Sequence, residues 1–150
     1  NKVKGTQNEL SHIIKSSDNL HIAVGHTYKK NERTEIYKLF KNKCHFPTIV
    51  SPNSYISKYS TIDIGCIIMH GAKIGVDSTI GKHTIINTNA SIDHNSMVGS
   101  FSHISTSVTI NGNVKIGNNV FIGSGTTIKD TIIISNNQSI KMCSKVIKDR

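Results

Sequence analysis

The side chains able to do acid–base or metal chemistry in this 150-residue chain are eight histidines and three cysteines, set among 18 lysines and arginines and nine acidic residues. An imidazole titrates near neutrality. A histidine within hydrogen-bond reach of a reacting amine or hydroxyl can therefore serve as its general base, and its neutral form is a common zinc ligand. Four histidines, His70, His83, His94 and His103, fall in the middle of the chain, separated by 13, 11 and 9 residues. Cys44, Cys66 and Cys143 are odd in number and far apart, with no CxxC and no Cys/His spacing of a zinc or disulfide framework, which fits a reduced cytoplasm. What any of these groups can do depends on the elements that hold them.

Those elements are set by a repeat. From Ile49 the chain divides into 17 consecutive six-residue units without an insertion, and the second position of each is Ile or Val, from Val50 through Ile92 to Val146. Counting that aliphatic as i, position i+4 is usually small, as at Ser54, Ser60, Cys66, Ala72, Ser78, Thr84, Ala90, Ser96 and Ser102. Position i+3 is Asn, Gly or Asp in 11 of the 17 units, and these types best tolerate a positive φ. Each unit thus reads as a short β-branched strand and one sharp turn. A period of six does not hold one face of a 3.6-residue helix. Three units make one coil of a triangular prism, so 102 residues give between five and six coils, stacked as parallel strands about 4.8 Å apart and about 27 Å tall.

The prism tests the histidines. Residues that stack on one face are 18 apart, and the positions 18 from His94 are Val76 and Gly112, so the spacing does not support a three-histidine zinc site. His94, at i+2, points outward. His103 lies half a coil further on, so on one prism the two are far apart and converge only across an interface between copies.

Residues 1–48 do not follow the repeat. Leu20-His21-Ile22-Ala23-Val24 reads as a short buried strand closed by Gly25. Arg33 to Lys43 reads as a helix with Ile36, Leu39 and Phe40 on one face, and Asn8 to Lys15 as a weaker helix. Strand, glycine, helix suggests part of a small α/β unit over 1–48, without a glycine-rich phosphate loop, joined near residue 48 to the β-helix of 49–150. The opening Asn1-Lys2-Val3-Lys4-Gly5 does not read as a signal peptide, and no run of about 18 apolar residues reads as a membrane span. The net charge of +9 admits a phosphate-rich partner such as a nucleotide or coenzyme A, but the lysines form no block, which equally suits a solvated surface. No motif or row of aromatics points to nucleic acid.

The whole pattern resembles the hexapeptide-repeat acyltransferases, whose β-helix is left-handed. Within them the chain is similar to the sialic acid O-acetyltransferases and nucleotide-linked 4-amino-sugar N-acetyltransferases of bacterial surface-glycan synthesis. IAVGHTYKKNERTEIYKLF resembles the end of that family's sugar-binding domain, IINTNASIDHNSMVGSFSHIS its active-site coils, and INGNVKIGNNVFIGSGTTI its coenzyme-proximal coils. The resemblance implies acetyl-CoA as co-substrate, a sugar acceptor, no metal, and a homotrimer with sites between subunits. It implies that His94 is the general base, that His103 lies near the acetyl group, and that Asn87 and Gly112 line the same cleft.

The chain departs from the pattern in four ways. The residue after the base, often acidic in the family, is Asn95, although Asp93 precedes the histidine and can supply charge. The segment Ile140-Lys141-Met142-Cys143-Ser144 lacks the glycines that let pantetheine approach the backbone. A Gly-x-Pro-Ala-Lys ending and the front glycine loop are missing, consistent with a fragment, a degenerate copy or a short form. A non-catalytic trimeric scaffold is therefore the alternative to an acetyltransferase with His94 as base.

Overall fold

A computed structural model describes residues 9, 14, 18–25 and 32–150. One two-residue strand stands in each of the 17 units, from Ile49–Val50 to Lys145–Val146, and each begins at the first position of its unit. The strands form three parallel sheets. The first stacks Ile49–Val50, Ile67–Ile68, Ile85–Ile86, His103–Ile104, Phe121–Ile122 and Ser139–Ile140. The second begins at Tyr55–Ile56 and ends at Lys145–Val146, and the third runs from Thr61–Ile62 to Ile133–Ile134. Every pairing has an 18-residue register, as in His103↔Phe121 and Thr109↔Thr127. This is the parallel β-helix expected from the repeat.

The second residue of each strand from Ile56 onward packs into the core. Ile68, Ile74, Ile80, Ile86, Ile92, Ile104, Ile110, Ile122, Ile128 and Ile134 are all essentially inaccessible. β-Branched side chains stacked on their own kind fill a narrow prism without voids.

The turns carry the strain. All fourteen i+3 residues from Gly65 to Cys143 have a positive φ, eleven of them non-glycine. They include the Asn, Gly and Asp positions of those coils. They also include His83, Phe101, Ser107, Thr131 and Cys143, where residue type gives no such preference. Coil stacking imposes the conformation there: the turn amide donates to a carbonyl of the coil above, as Phe101 to Lys82 at 2.8 Å and Ser107 to Thr88 at 2.9 Å. Asn53 and Asp149, in the terminal coils, are not among the residues with positive φ.

The small i+4 residues do more than fit the corner. The Ser102 hydroxyl donates to the Gly117 carbonyl at 2.9 Å and accepts from the Val120 amide at 3.1 Å. Ser96 does the same with Asn111 and Val114, at 2.9 and 3.1 Å. A hydroxyl thus pairs backbone groups that the corner takes out of the ladder, and an unpaired buried amide is costly.

Ahead of the prism, helix α1 spans Glu32–Phe40, beginning one residue before and ending three residues before the expected span. Phe40 accepts from the amides of Lys43 and Cys44 in the turn that ends it. Its buried residues are Arg33, Ile36 and Phe40, spaced by three and four; Leu39, expected on that face, is 64% exposed because the face turns past it. The strand expected over 20–24 is not formed. Among the described residues of that segment one parallel bridge, Asn19↔His45, is the pairing that forms. Ile22 is nonetheless buried with Ile36, Phe40, Cys44 and Phe46 in a second, small core. The expected helix over 8–15 falls outside the described residues except for Glu9 and Ile14. Among the described residues no helix is long and apolar enough to cross a membrane.

Replacing Ser102 by Ala should strand the Gly117 carbonyl and the Val120 amide inside the prism. The expected loss is about 1–3 kcal/mol in the free energy of unfolding by denaturant, without change of fold.

Candidate active site

His94 sits on the corner between the second and third sheets, in the turn after strand Ser91–Ile92. It is exposed, with Asp93 and Asn95 on either side. Asn95 takes the left-handed conformation, φ 57°, and its Oδ1 lies 2.9 Å from His94 Nδ1. With the amide oxygen as acceptor, the imidazole proton sits on Nδ1 and Nε2 carries the lone pair. Asn95 therefore orients the ring, and it does so without the full charge a carboxylate would add. Asp93 is aimed elsewhere: its Oδ1 accepts from the His94 backbone amide at 2.8 Å, which fixes the turn rather than the imidazole.

Gly112 lies under the same ring. It stands 18 residues after His94, one coil on, and a Cβ built there would come within 2.5 Å of His94 Cε1 and 2.6 Å of Nε2. No side chain fits without moving the imidazole, so Gly112 is the seat of the ring. Asp93, His94, Asn95 and Gly112 thus form one group.

Asn87 and His103 form another, on the first sheet. Asn87 Nδ2 is 3.2 Å from His103 Nε2, and Asn87 Oδ1 accepts from the Thr88 amide at 2.7 Å. Phe121, in register with His103 on the next coil, meets its ring edge-on at 5.5 Å between centroids. Phe121 was not singled out from sequence, although its 18-residue offset from His103 is a sufficient signal. In a three-sided prism the corner that holds His94 is opposite the face that holds His103. One chain therefore does not bring the two histidines together. Among the described residues there is no group of three or more His, Cys, Asp or Glu placed to hold a metal ion.

Gly112→Ala should push the exposed imidazole off its seat and break the contact with Asn95 at little cost in stability. Imidazole nitrogen chemical shifts should show His94 passing from a single Nδ1-protonated tautomer to a mixture, while strand amides stay in place.

Residues 95–130 match the bacterial transferase hexapeptide (six repeats). No curated protein sequence matches the chain. The acetyltransferase domain of PglB from Neisseria gonorrhoeae superposes with a TM-score of 0.89 at 23% identity, over 98% of this chain and 71% of that one. PerB from Caulobacter crescentus, solved with CoA and GDP-perosamine, superposes with a TM-score of 0.83 at 25% identity, over 88% of this chain and 63% of that one. The PglB domain has also been solved with acetyl coenzyme A, and there the chain spans 63% of its length. By its repeat, its 18-residue register and these superpositions, the chain has the hexapeptide-repeat β-helix fold that these acetyltransferase domains share.

Proposed function

We propose that the protein transfers an acetyl group from acetyl-CoA to a hydroxyl or amine of a sugar, with His94 as general base. The observation that carries this reading is the seating of His94. An exposed imidazole is fixed over Gly112, held through Nδ1 by Asn95, and presents a basic Nε2 at a rigid corner. A surface histidine with no task needs neither a glycine beneath it nor a partner that selects its tautomer. The likeness to PglB, crystallised with acetyl coenzyme A, and to PerB, crystallised with CoA and GDP-perosamine, supports the co-substrate and a nucleotide-linked sugar as the acceptor class.

In the reaction, His94 Nε2 takes the proton of the acceptor hydroxyl or amine as that atom attacks the thioester carbonyl. The new bond is an ester or amide, the C–S bond breaks, and the CoA thiolate leaves with the proton returned from the imidazolium. Neither a metal nor a covalent enzyme intermediate is required. Because Asn95 is neutral, the imidazolium is stabilised by orientation more than by charge. His103, aligned by Asn87 and packed by Phe121, supplies a second polar group. Its place on the opposite face supports a site completed between copies, which a closed threefold assembly would provide. The glycine-poor coil at 140–144 favours the scaffold reading, in which the fold remains and turnover does not.

Thiol release from acetyl-CoA, followed with nucleotide-linked 4-amino sugars, with sialic acid and without acceptor, should show turnover with one acceptor. His94→Ala should lower it by about 10²–10⁴-fold in a protein of unchanged oligomeric state. Equal turnover in the variant would remove His94 from the mechanism. A folded, inactive wild type would favour the scaffold.

A further inference from the structure

The corner between the third and first sheets holds a buried group that acyl transfer does not use. His83 is 1% exposed and sits, at φ 55°, in a turn slot that Asn fills at 89, 95, 113, 119 and 137. Its ring is enclosed by Tyr37 at 4.5 Å, by Phe46 at 5.0 Å and by Phe101, stacked at 5.1 Å with 14° between planes. Gly65, in the coil above, has no room for a Cβ because the His83 ring occupies that space.

The backbone of His83 meets Arg33 of α1, itself only 6% exposed. Its Nη2 donates to the His83 carbonyl at 2.5 Å. Its Nε and Nη1, and Nε2 of His83, meet no hydrogen-bond acceptor among the described residues. A strained backbone, a sealed imidazole and a guanidinium with two nitrogens unpaired among the described residues therefore meet at one contact, where the N-terminal segment joins the prism. The groups facing His83 are mostly cationic or neutral. Arg33 and Tyr37 come from α1, His21 from the segment before it, Lys82 from the next position, and Cys66 and Asp63 from the coil above; Asp63 is the single acid among them.

We propose that the Arg33–His83 contact is a proton-sensitive latch, in which neutral His83 accepts α1 against the prism and protonated His83 expels Arg33 and the segment that carries it. Two adjacent buried cations, with Asp63 the one acid facing them among the described residues, are far less stable than one. Burial pushes the His83 imidazole down to about 4, with Arg33, His21 and Lys82 adding to the fall and Asp63 opposing it. The guanidinium, lowered by burial to about 10, stays charged throughout.

The sign follows from linkage. A released His83 titrates at its ordinary 6.5 and a docked one at about 4. Docking is complete above 6.5 and weakens as the pH falls from there to about 4, by about tenfold per unit. Hydrogen–deuterium exchange from pH 7 to 4, corrected for intrinsic rates, would compare the amides of residues 32–40 with those of strands 85–122. Helix protection relative to the strands should fall about tenfold per pH unit below 6.5. His83→Phe should remove most of the fall, leaving the part from His21, which burial and then Arg33 also hold below its ordinary value, and should keep the segment docked, since Phe101 already occupies the same slot one coil below at φ 58°. His83→Asn, suited to that backbone, is the second non-titrating variant. A flat wild-type profile, an equal fall in both variants, or strands that lose protection together with the helix would overturn the latch.

Discussion

Everything in this molecule depends on the fact that each residue rests on the one 18 positions later. The parallel ladder enforces that offset in every coil, and it has three consequences. Inward isoleucines stack in columns and form the core. The chain turns with positive φ at every corner from Gly65 to Cys143, whatever residue stands there. Any side chain on the surface is flanked by residues fixed by register, which is how Gly112 comes to lie beneath His94 and Phe121 beside His103.

The prism was legible because its cause is local and repeated. A six-residue period with Ile or Val at one position leaves no helical alternative, and all 17 strands fall where the units put them. The hydroxyl ladders were half legible: size selects Ser and Thr for the corner, but their pairing with the amide 18 residues on appears only when coils are stacked. The N-terminal segment was legible least. Its burial is set by contact with the prism corner, so Arg33 goes inside and Leu39 stays out, the reverse of what their polarity suggests. A histidine at a turn reads as a surface residue in sequence, yet His83 is sealed because α1 closes over it.

The two candidate groups differ in the same way. The His94 group could be assembled from register and the properties of glycine. Asn95 is the instructive member: its type suits a left-handed turn, and the same turn brings its amide oxygen to the imidazole. One residue thus meets a backbone requirement and selects a tautomer. The neighbouring carboxylate, Asp93, is occupied by the backbone amide of the histidine it precedes. The coil at 140–144 keeps its corner pairing without glycine, with the Lys141 carbonyl accepting from Thr126 and Ser144 at 3.0 and 2.7 Å.

The placement of His94 and His103 on opposite sides of one prism makes the central claim one about pairs of copies. It is tested most directly by mixing two variants, His94→Ala and His103→Ala, each lowering activity alone, and allowing their subunits to exchange. If one site takes its histidines from two neighbours, random mixing should restore turnover to about a quarter of the wild-type level, because that fraction of interfaces pairs an intact His94 with an intact His103. No recovery after verified exchange would contradict the shared site and confine the chemistry to a single chain.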